Sequence, residues 1–187
     1  LIDDPRPLVR YAACRAAGRV AGMRAFSPLL RHLGDESKVV RRAAAEALRL
    51  IGNGAEGSHR PRESDEQKLL VAGLLSAIEF PDDLIRRGAT RVFAAHFREI
   101  SQEIPLADVL LARIDDPDPV VAMQAVKGLW RWWYWQADEP LRNRIEDRLI
   151  GALGTPRHPW VRRNLTEALY ILGDENIRYL YKNWVPS

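Results

Sequence analysis

The sequence is poor in cysteine, in long apolar runs and in the patterns that mark β strands. Cys14 is the only cysteine among 187 residues, so an internal disulfide and a cysteine-based zinc site are excluded. No uninterrupted apolar stretch approaches the roughly 18 residues that a membrane span needs. Period-two alternation and hairpin dipeptides between β-branched segments are also missing. These absences indicate an all-helical chain without a transmembrane segment.

Lysine is scarce as well, because the chain has 4 lysines against 24 arginines, with a net charge of +3. Arginine forms planar, bidentate pairs with carboxylates and also binds phosphates. The bias therefore fits internal ion pairs and an anionic partner equally well, and a GC-rich genome would also produce it.

The N-terminal residues show no signal peptide. The chain begins at Leu1, without a methionine and in what looks like the middle of a repeat. We therefore expect it to be a fragment of a longer protein, and its sequence does not indicate a cellular compartment.

The stretch 34–52, GDESKVVRRAAAEALRLIG, predicts a turn followed by a helix that ends at a glycine. Its apolar residues follow the i, i+4, i+7, i+8, i+11 spacing of one helical face. They are Val40, Ala44, Ala47, Leu48 and Ile51. We expect this stripe to face the core.

Near-copies of this stretch recur along the chain, which is the sign of a repeat architecture. The copies align Val40 with Val9, Ile85, Val121 and Val161, at steps of 31, 45, 36 and 40 residues. Such steps are typical of a two-helix repeat with loops of variable length. The partner helices are predicted over 23–33, 64–78, 105–114, 139–153 and 174–184, and a loop over 53–62 explains the longest step.

The pattern D-x-x-x-x-V-R-x-x-A-A-x-A-L-x-x-[IL]-G, best kept around Val40 and Val161, resembles HEAT repeats, especially the short HEAT-like repeat of phycobilisome lyases. The resemblance covers essentially the whole chain and is looser in the third and fourth copies. It implies an all-α, right-handed α–α superhelix of about five helical-hairpin repeats, as in HEAT and armadillo solenoids. It also implies one domain over 1–187, with repeat units near 1–22, 23–52, 63–100, 104–136 and 139–173, and a half-repeat at 174–187.

Two kinds of polar residue recur with the repeat: aspartates in the turns and arginines early in the following helices. They are Asp4, Asp35 and Asp116, and Arg10, Arg41, Arg86 and Arg162. One interpretation is an arginine stripe along a concave face that binds an acidic or phosphorylated partner. The favoured interpretation is that each arginine bonds a turn aspartate, its own or a neighbour's, and so joins adjacent repeats.

The middle of the molecule departs from this pattern. Ala122 replaces the arginine of the fourth copy, and Phe80 replaces the turn aspartate of the third. We expect some arginines to be unpaired there, and Arg87, Arg91 and Arg98 add to the local positive charge.

Four of the six tryptophans lie within residues 130–135. The repeat register predicts that Trp132 is in the core and that Trp130 faces outward. Trp133 stands where another copy has its closing glycine, so the helix is predicted to continue through Trp135.

Aromatic side chains beside arginine often anchor interfaces. We hypothesise that Trp130, Trp133 or Trp135, together with Arg131, forms a recognition patch. The alternative is that these tryptophans fill a wide gap against the helix predicted over 139–153. Trp160, which aligns with the apolar Val39, is predicted to lie in the core.

No arrangement of residues predicts catalysis, a metal site or a cofactor. The four histidines are scattered over different units, and none forms an H-x-x-x-H pair. The leading prediction is a non-enzymatic scaffold that binds a protein partner. The candidate partner-binding residues are Trp130, Arg131, Trp133, Trp135, Arg87 and Arg91.

Two further functions follow from the resemblance alone. HEAT-like DNA glycosylases combine a basic concave face with tryptophan and an acidic residue, and Asp138 follows the tryptophans here. The mild net charge does not favour nucleic acid. A bilin-lyase-like subunit is the other possibility, and no residue marks a tetrapyrrole site.

Overall fold

The helices of this protein pack as repeated pairs in two units. A computed structural model describes residues 1–53, 65–96, 106–135, 138–155 and 157–172, which form helices and turns without any strand. The chain divides into unit 1, Leu1–Ile104, and unit 2, Pro105–Ser187, which we describe separately. The all-helical fold class predicted from the sequence is confirmed, whereas the domain and repeat boundaries stay predictions.

In the described residues of unit 1, three helices stack on one another and two cover them. Helix α1 packs on α3, and α3 packs on α5, while α2 packs on α3 and α4 packs on α5. We call α1, α3 and α5 the inner helices of this unit. The bounds are α1 Pro7–Val20, α2 Phe26–Arg31, α3 Lys38–Asn53, α4 Asp65–Ile78 and α5 Asp83–His96, with short 3-10 turns at Gly22–Ala25 and His32–Gly34.

Unit 2 repeats this arrangement. Its inner helices α7 and α9 pack on each other, α6 packs on α7, and α8 contacts both inner helices. The bounds are α6 Leu106–Ala112, α7 Pro119–Trp135, α8 Glu139–Leu153 and α9 Pro159–Leu172, with a 3-10 turn at Arg113–Asp115. The predicted continuation of α7 through Trp135 is confirmed.

The core consists of the stripe that the sequence predicts. All five of its residues in α3, from Val40 to Ile51, are at most 5% exposed. Small residues in this stripe let the inner helices approach closely. A Cβ atom added at Gly18 of α1 would lie 2.6 Å from the Ala47 Cα of α3, so only glycine fits there.

The partner helices differ from their predicted lengths at some ends. The spans 23–33 and 105–114 each contain a short α-helix followed by a 3-10 turn, at His32–Gly34 and Arg113–Asp115. Tight 3-10 turns are common at helix ends, where i+3 bonds satisfy the last carbonyl groups. The prediction over 139–153 is confirmed, while the helix predicted over 174–184 lies outside the described residues.

None of the helices in the described ranges is both long and apolar enough to cross a membrane. The same ranges hold no cluster of three or more histidine, cysteine or acidic side chains that would suit a metal ion.

Candidate interaction surfaces

The repeated arginines bind the turn that precedes their own helix. In three of the four, Arg10, Arg41 and Arg86, the guanidinium Nη1 donates to the carbonyl oxygens five and six residues earlier. Arg10 donates to Asp4 and Pro5 at 3.0 and 2.9 Å, Arg41 to Asp35 and Glu36 at 2.6 and 2.9 Å, and Arg86 to Phe80 and Pro81 at 2.9 and 2.6 Å. We call these three arginines turn locks, because each binds the turn before its own helix, and these three do not form a free arginine stripe.

The favoured pairing with a turn aspartate is present for Arg10. Arg10 also donates to the carboxylate of Asp35, in the turn of the next repeat, and to Glu36. Burial raises the pKa of Asp35, but hydrogen bonds from Arg10 and from the Ser37 backbone outweigh it, and the net pKa is lowered. Arg41 and Arg86 donate to backbone carbonyl groups in the turn before their own helix.

The outward face of α3 and α5 carries cations close to each other. Arg42 and Arg91 are both exposed, and neither forms an ion pair within the part of unit 1 that the structure describes. Burial of part of the side chain, followed by the positive charge of Arg42, lowers the pKa of Arg91. Arg87, by contrast, pairs with Asp83 on its own helix at 2.6 Å. Of the three arginine candidates from the sequence, Arg91 thus adjoins the like charge of Arg42.

Lys38 extends this cationic face. It lies one helical turn before Arg42 on α3, and positions i and i+4 of a helix are neighbours on its surface. We call Lys38, Arg42 and Arg91 the α3–α5 cation cluster. Glu46 is a further turn along α3, but Arg49 holds it in an ion pair at 2.5 Å.

Apolar side chains stand at the first turn of several inner helices without being buried. Leu8, Val39 and Trp160 occupy equivalent repeat positions and are 75%, 46% and 60% exposed. The prediction of Trp160 as a core residue is therefore wrong. Its neighbour Val161 takes the core position, and consecutive helical residues point about 100° apart.

The tryptophan-rich end of α7 is only partly accessible. Trp130 is half-buried, as is Trp133, whose ring packs beneath the Arg142 guanidinium at 5.1 Å. The Arg142 Nε also donates to the Trp133 carbonyl at 3.2 Å. Trp133 therefore contacts α8, as the gap-filling alternative predicts. The side chains of Arg131, Trp132 and Trp135 lie outside the described residues, so their roles stay predictions.

An aspartate, a cysteine and a histidine, which are residue types that often take part in catalysis, have structural contacts here. Asp138 caps α8, accepting a hydrogen bond from the Leu141 backbone at 3.0 Å. Cys14 is fully buried, and burial raises the pKa of its thiol to about 11. His32 is also buried, with its ring nitrogens 3.2 and 3.3 Å from the carboxylates of Asp35 and Asp3.

Unit 2 contains a cleft at the position of a missing turn lock. Ala122 stands where the other copies have their repeated arginine, and the space beside it is a cleft of about 540 Å³. The turn residues Asp116 and Pro117 line one side, and Arg157, His158 and Val161 line another. Arg157 donates to the carbonyls of Ala152 and Ile114 at 2.7 and 2.8 Å and also to the carboxylate of Asp115.

The comparison with protein families supports the resemblance of the repeats. A sequence model of HEAT repeats matches residues 1–65, so this segment is similar to HEAT repeats. No curated protein matches the chain.

Solved structures similar to this chain include engineered and computationally designed proteins. One engineered protein is 17% identical with a TM-score of 0.50, and the match covers 98% of this chain and 83% of that one. A second engineered protein is 18% identical, with a TM-score of 0.46 and coverage of 90% and 74%. Computationally designed armadillo repeat proteins for modular peptide recognition are 20% identical, with a TM-score of 0.48 and coverage of 91% and 78%. At such identities the first of these similarities indicates the fold alone.

Sequence reasoning missed Arg42, which lies in the matched HEAT repeats. The repeat alignment could have indicated it, since Arg42 directly follows the turn-locking Arg41 and aligns with the candidate Arg87. A residue one step further along a helix turns about 100° away from the turn that Arg41 locks. The second arginine of the R-R pair, and not the first, is thus the one that faces solvent in this repeat.

Proposed function

We propose that this domain is a non-enzymatic HEAT-repeat scaffold that binds an acidic segment of a partner protein on the outward face of α3 and α5. The supporting observation is the exposed pair Arg42 and Arg91, two like charges without a carboxylate partner in the described part of unit 1. Like charges held close together disfavour the free protein, and a partner's carboxylate between them would relieve this repulsion. The surface thus favours an acidic ligand.

The same face suits a ligand that is apolar as well as acidic. Val39 is exposed and lies next to Lys38 on the outward side of α3. A cationic face with an apolar side chain at its edge matches a polypeptide that carries both acidic and hydrophobic residues. Stacked repeats offer such a ligand an extended surface rather than a deep pocket.

The test is a peptide-display selection against the 187-residue chain, followed by affinity measurements on charge variants. The selected peptides are expected to be rich in Asp and Glu. The double variant Arg42→Glu, Arg91→Glu should weaken them by at least about tenfold, which is roughly 1.4 kcal/mol. The matched control is Arg24→Glu, an exposed arginine in the 3-10 turn Gly22–Ala25. Selected ligands without acidic residues, or an equal loss in both variants, would count against the proposal.

A nucleic-acid ligand is the weaker candidate. Glu46 and Asp83 lie on the surfaces of α3 and α5 and form ion pairs there, and the net charge is only +3. Asp138, the acidic residue that a glycosylase-like chemistry would need, has its carboxylate engaged at the start of α8. Titration of labelled duplex DNA at several salt concentrations separates the two ligands, because phosphate binding weakens steeply with salt.

A further inference from the structure

The turn locks define a guanidinium position, and in α7 of unit 2 the corresponding residue is Ala122. In α1, α3 and α5, the arginine Nη1 donates to the two carbonyl oxygens five and six residues earlier. Counting back from Ala122, the corresponding carbonyls belong to Asp116 and Pro117. Both residues line the 540 Å³ cleft that opens beside Ala122. The cleft therefore contains the acceptors of a turn lock without the arginine.

We infer that this cleft binds the guanidinium group of an arginine side chain supplied by a partner polypeptide. The guanidinium would lie between Ala122 and the turn, with two N–H groups directed at the Asp116 and Pro117 carbonyls. The three in-chain arginines show that this turn geometry accepts such a group. The site lies in unit 2 and does not depend on the α3–α5 cation cluster.

Acidic and basic side chains both line the cleft. Its walls include the carboxylates of Asp115 and Asp116 and the guanidinium of Arg157, and Asp115 accepts hydrogen bonds from both Arg148 and Arg157. The Asp116 side chain is 1% exposed, and its Oδ2 lies 3.7 Å from Arg113 Nη1.

Arg157 does not fill the lock itself. Its Nη1 donates to the Ile114 carbonyl and its Nη2 to Asp115, both earlier in the turn than the lock acceptors. Its Nε donates to Ala152. The Pro117 carbonyl accepts no hydrogen bond from the described residues. Arginine suits this gap better than lysine, because its planar fork presents two N–H groups to two neighbouring acceptors.

The test is an NMR titration of the 187-residue chain with N-acetyl-arginine methylamide, compared with the citrulline analogue. Citrulline has nearly the same shape and no charge. The arginine probe is expected to give saturable shifts at the amides of Asp118, Ala122 and Val161, and citrulline to bind at least about tenfold more weakly. The absence of saturable shifts, or equal binding of the two probes, would overturn the inference.

The variant Ala122→Arg provides a second test of the inference. It supplies the missing turn lock from within the chain, so it should reduce binding of the arginine probe by at least about tenfold. If this variant fails to fold, Ala122→Met closes the same space with an uncharged chain and should have the same effect. Unchanged binding in the folded variant overturns the assignment. The double variant Arg42→Glu, Arg91→Glu is expected to bind the arginine probe as tightly as wild type does. Failure of this inference can therefore be distinguished from failure of the proposed function.

Discussion

Arg10 of α1 and Asp35, in the turn before α3, form a buried ion pair that joins consecutive repeats. Arg10 Nε lies 2.8 Å from Asp35 Oδ2, and Nη2 lies 3.0 Å from Oδ1. The side chains are 9% and 4% exposed. Because water reaches neither group freely, removal of one partner leaves the other charge poorly compensated.

We expect Asp35→Asn to lower the thermal midpoint by about 5 °C or more, since the effect of a lost buried pair is large for a domain of this size. Differential scanning calorimetry measures it. The control is Arg6→Ala, which breaks the exposed pair with Asp4 and should change the midpoint by no more than about 2 °C. Equal effects of the two substitutions would show that the Arg10–Asp35 pair contributes no more than a surface pair.

The same pair predicts a dependence of stability on pH. The folded pKa of Asp35 is lowered from 3.8, as is that of Asp115, where a hydrogen bond from Arg157 is the main cause. Groups with a depressed folded pKa contribute stability above their unfolded pKa and lose it as the pH falls through the folded value. We therefore expect the thermal midpoint to decrease once the pH drops below about 4. The difference in thermal midpoint between wild type and Asp35→Asn should become smaller in the same pH range. A difference that stays constant from neutral to acid pH would contradict this account.

A pair of glycine substitutions tests the close approach of α1 and α3. Gly18→Ala places a Cβ atom 2.6 Å from the Ala47 Cα, and overpacking of this kind costs about 1–3 kcal/mol in the free energy of unfolding. Gly151→Ala in α8 meets no atom within 4 Å. It should be neutral or stabilise by up to about 1 kcal/mol, because alanine has the higher helix propensity. Chemical denaturation measures both, and a Gly18→Ala protein as stable as wild type would show that the helices move apart easily.

The exposure of Trp160 is tested by comparison with Leu165 on the same helix. Leu165 is fully buried, and Leu165→Ala should lower the free energy of unfolding by about 2–5 kcal/mol. Trp160→Ala should change it by about 0.5 kcal/mol or less, as is usual for surface substitutions. Denaturant titrations of the two variants give the comparison, and similar losses would mean that Trp160 is packed after all.

The fold could be predicted from the sequence because the repeat and the helical period point to the same residues. The stripe from Val40 to Ile51 is buried as predicted, and α7 continues through Trp135. The predicted helix over 139–153 matches α8. Apolar spacing fixes which face of a helix is buried, and self-similarity then transfers that assignment from one copy to the next.

The surfaces were harder to predict, because neighbouring residues of one helix differ in their contacts and in their exposure to solvent. The sequence pattern V-R-R indicates two similar arginines, yet Arg41 locks a turn and Arg42 faces solvent. Trp160 was assigned to the core from its alignment with Val39, which is itself exposed. The carbonyl partners of the turn locks leave no trace in the sequence, since every residue has a backbone oxygen.

The hydrogen bonds of Arg41 and Arg86 to the turn of their own repeat bear on how such an array grows. A duplicated segment brings both the donor and its acceptors, so this particular contact needs no compensating change in the flanking copies. Whole units can then be duplicated or deleted without loss of the contact, and alanine in place of such an arginine, as at Ala122, leaves the helix in place with a cleft beside it.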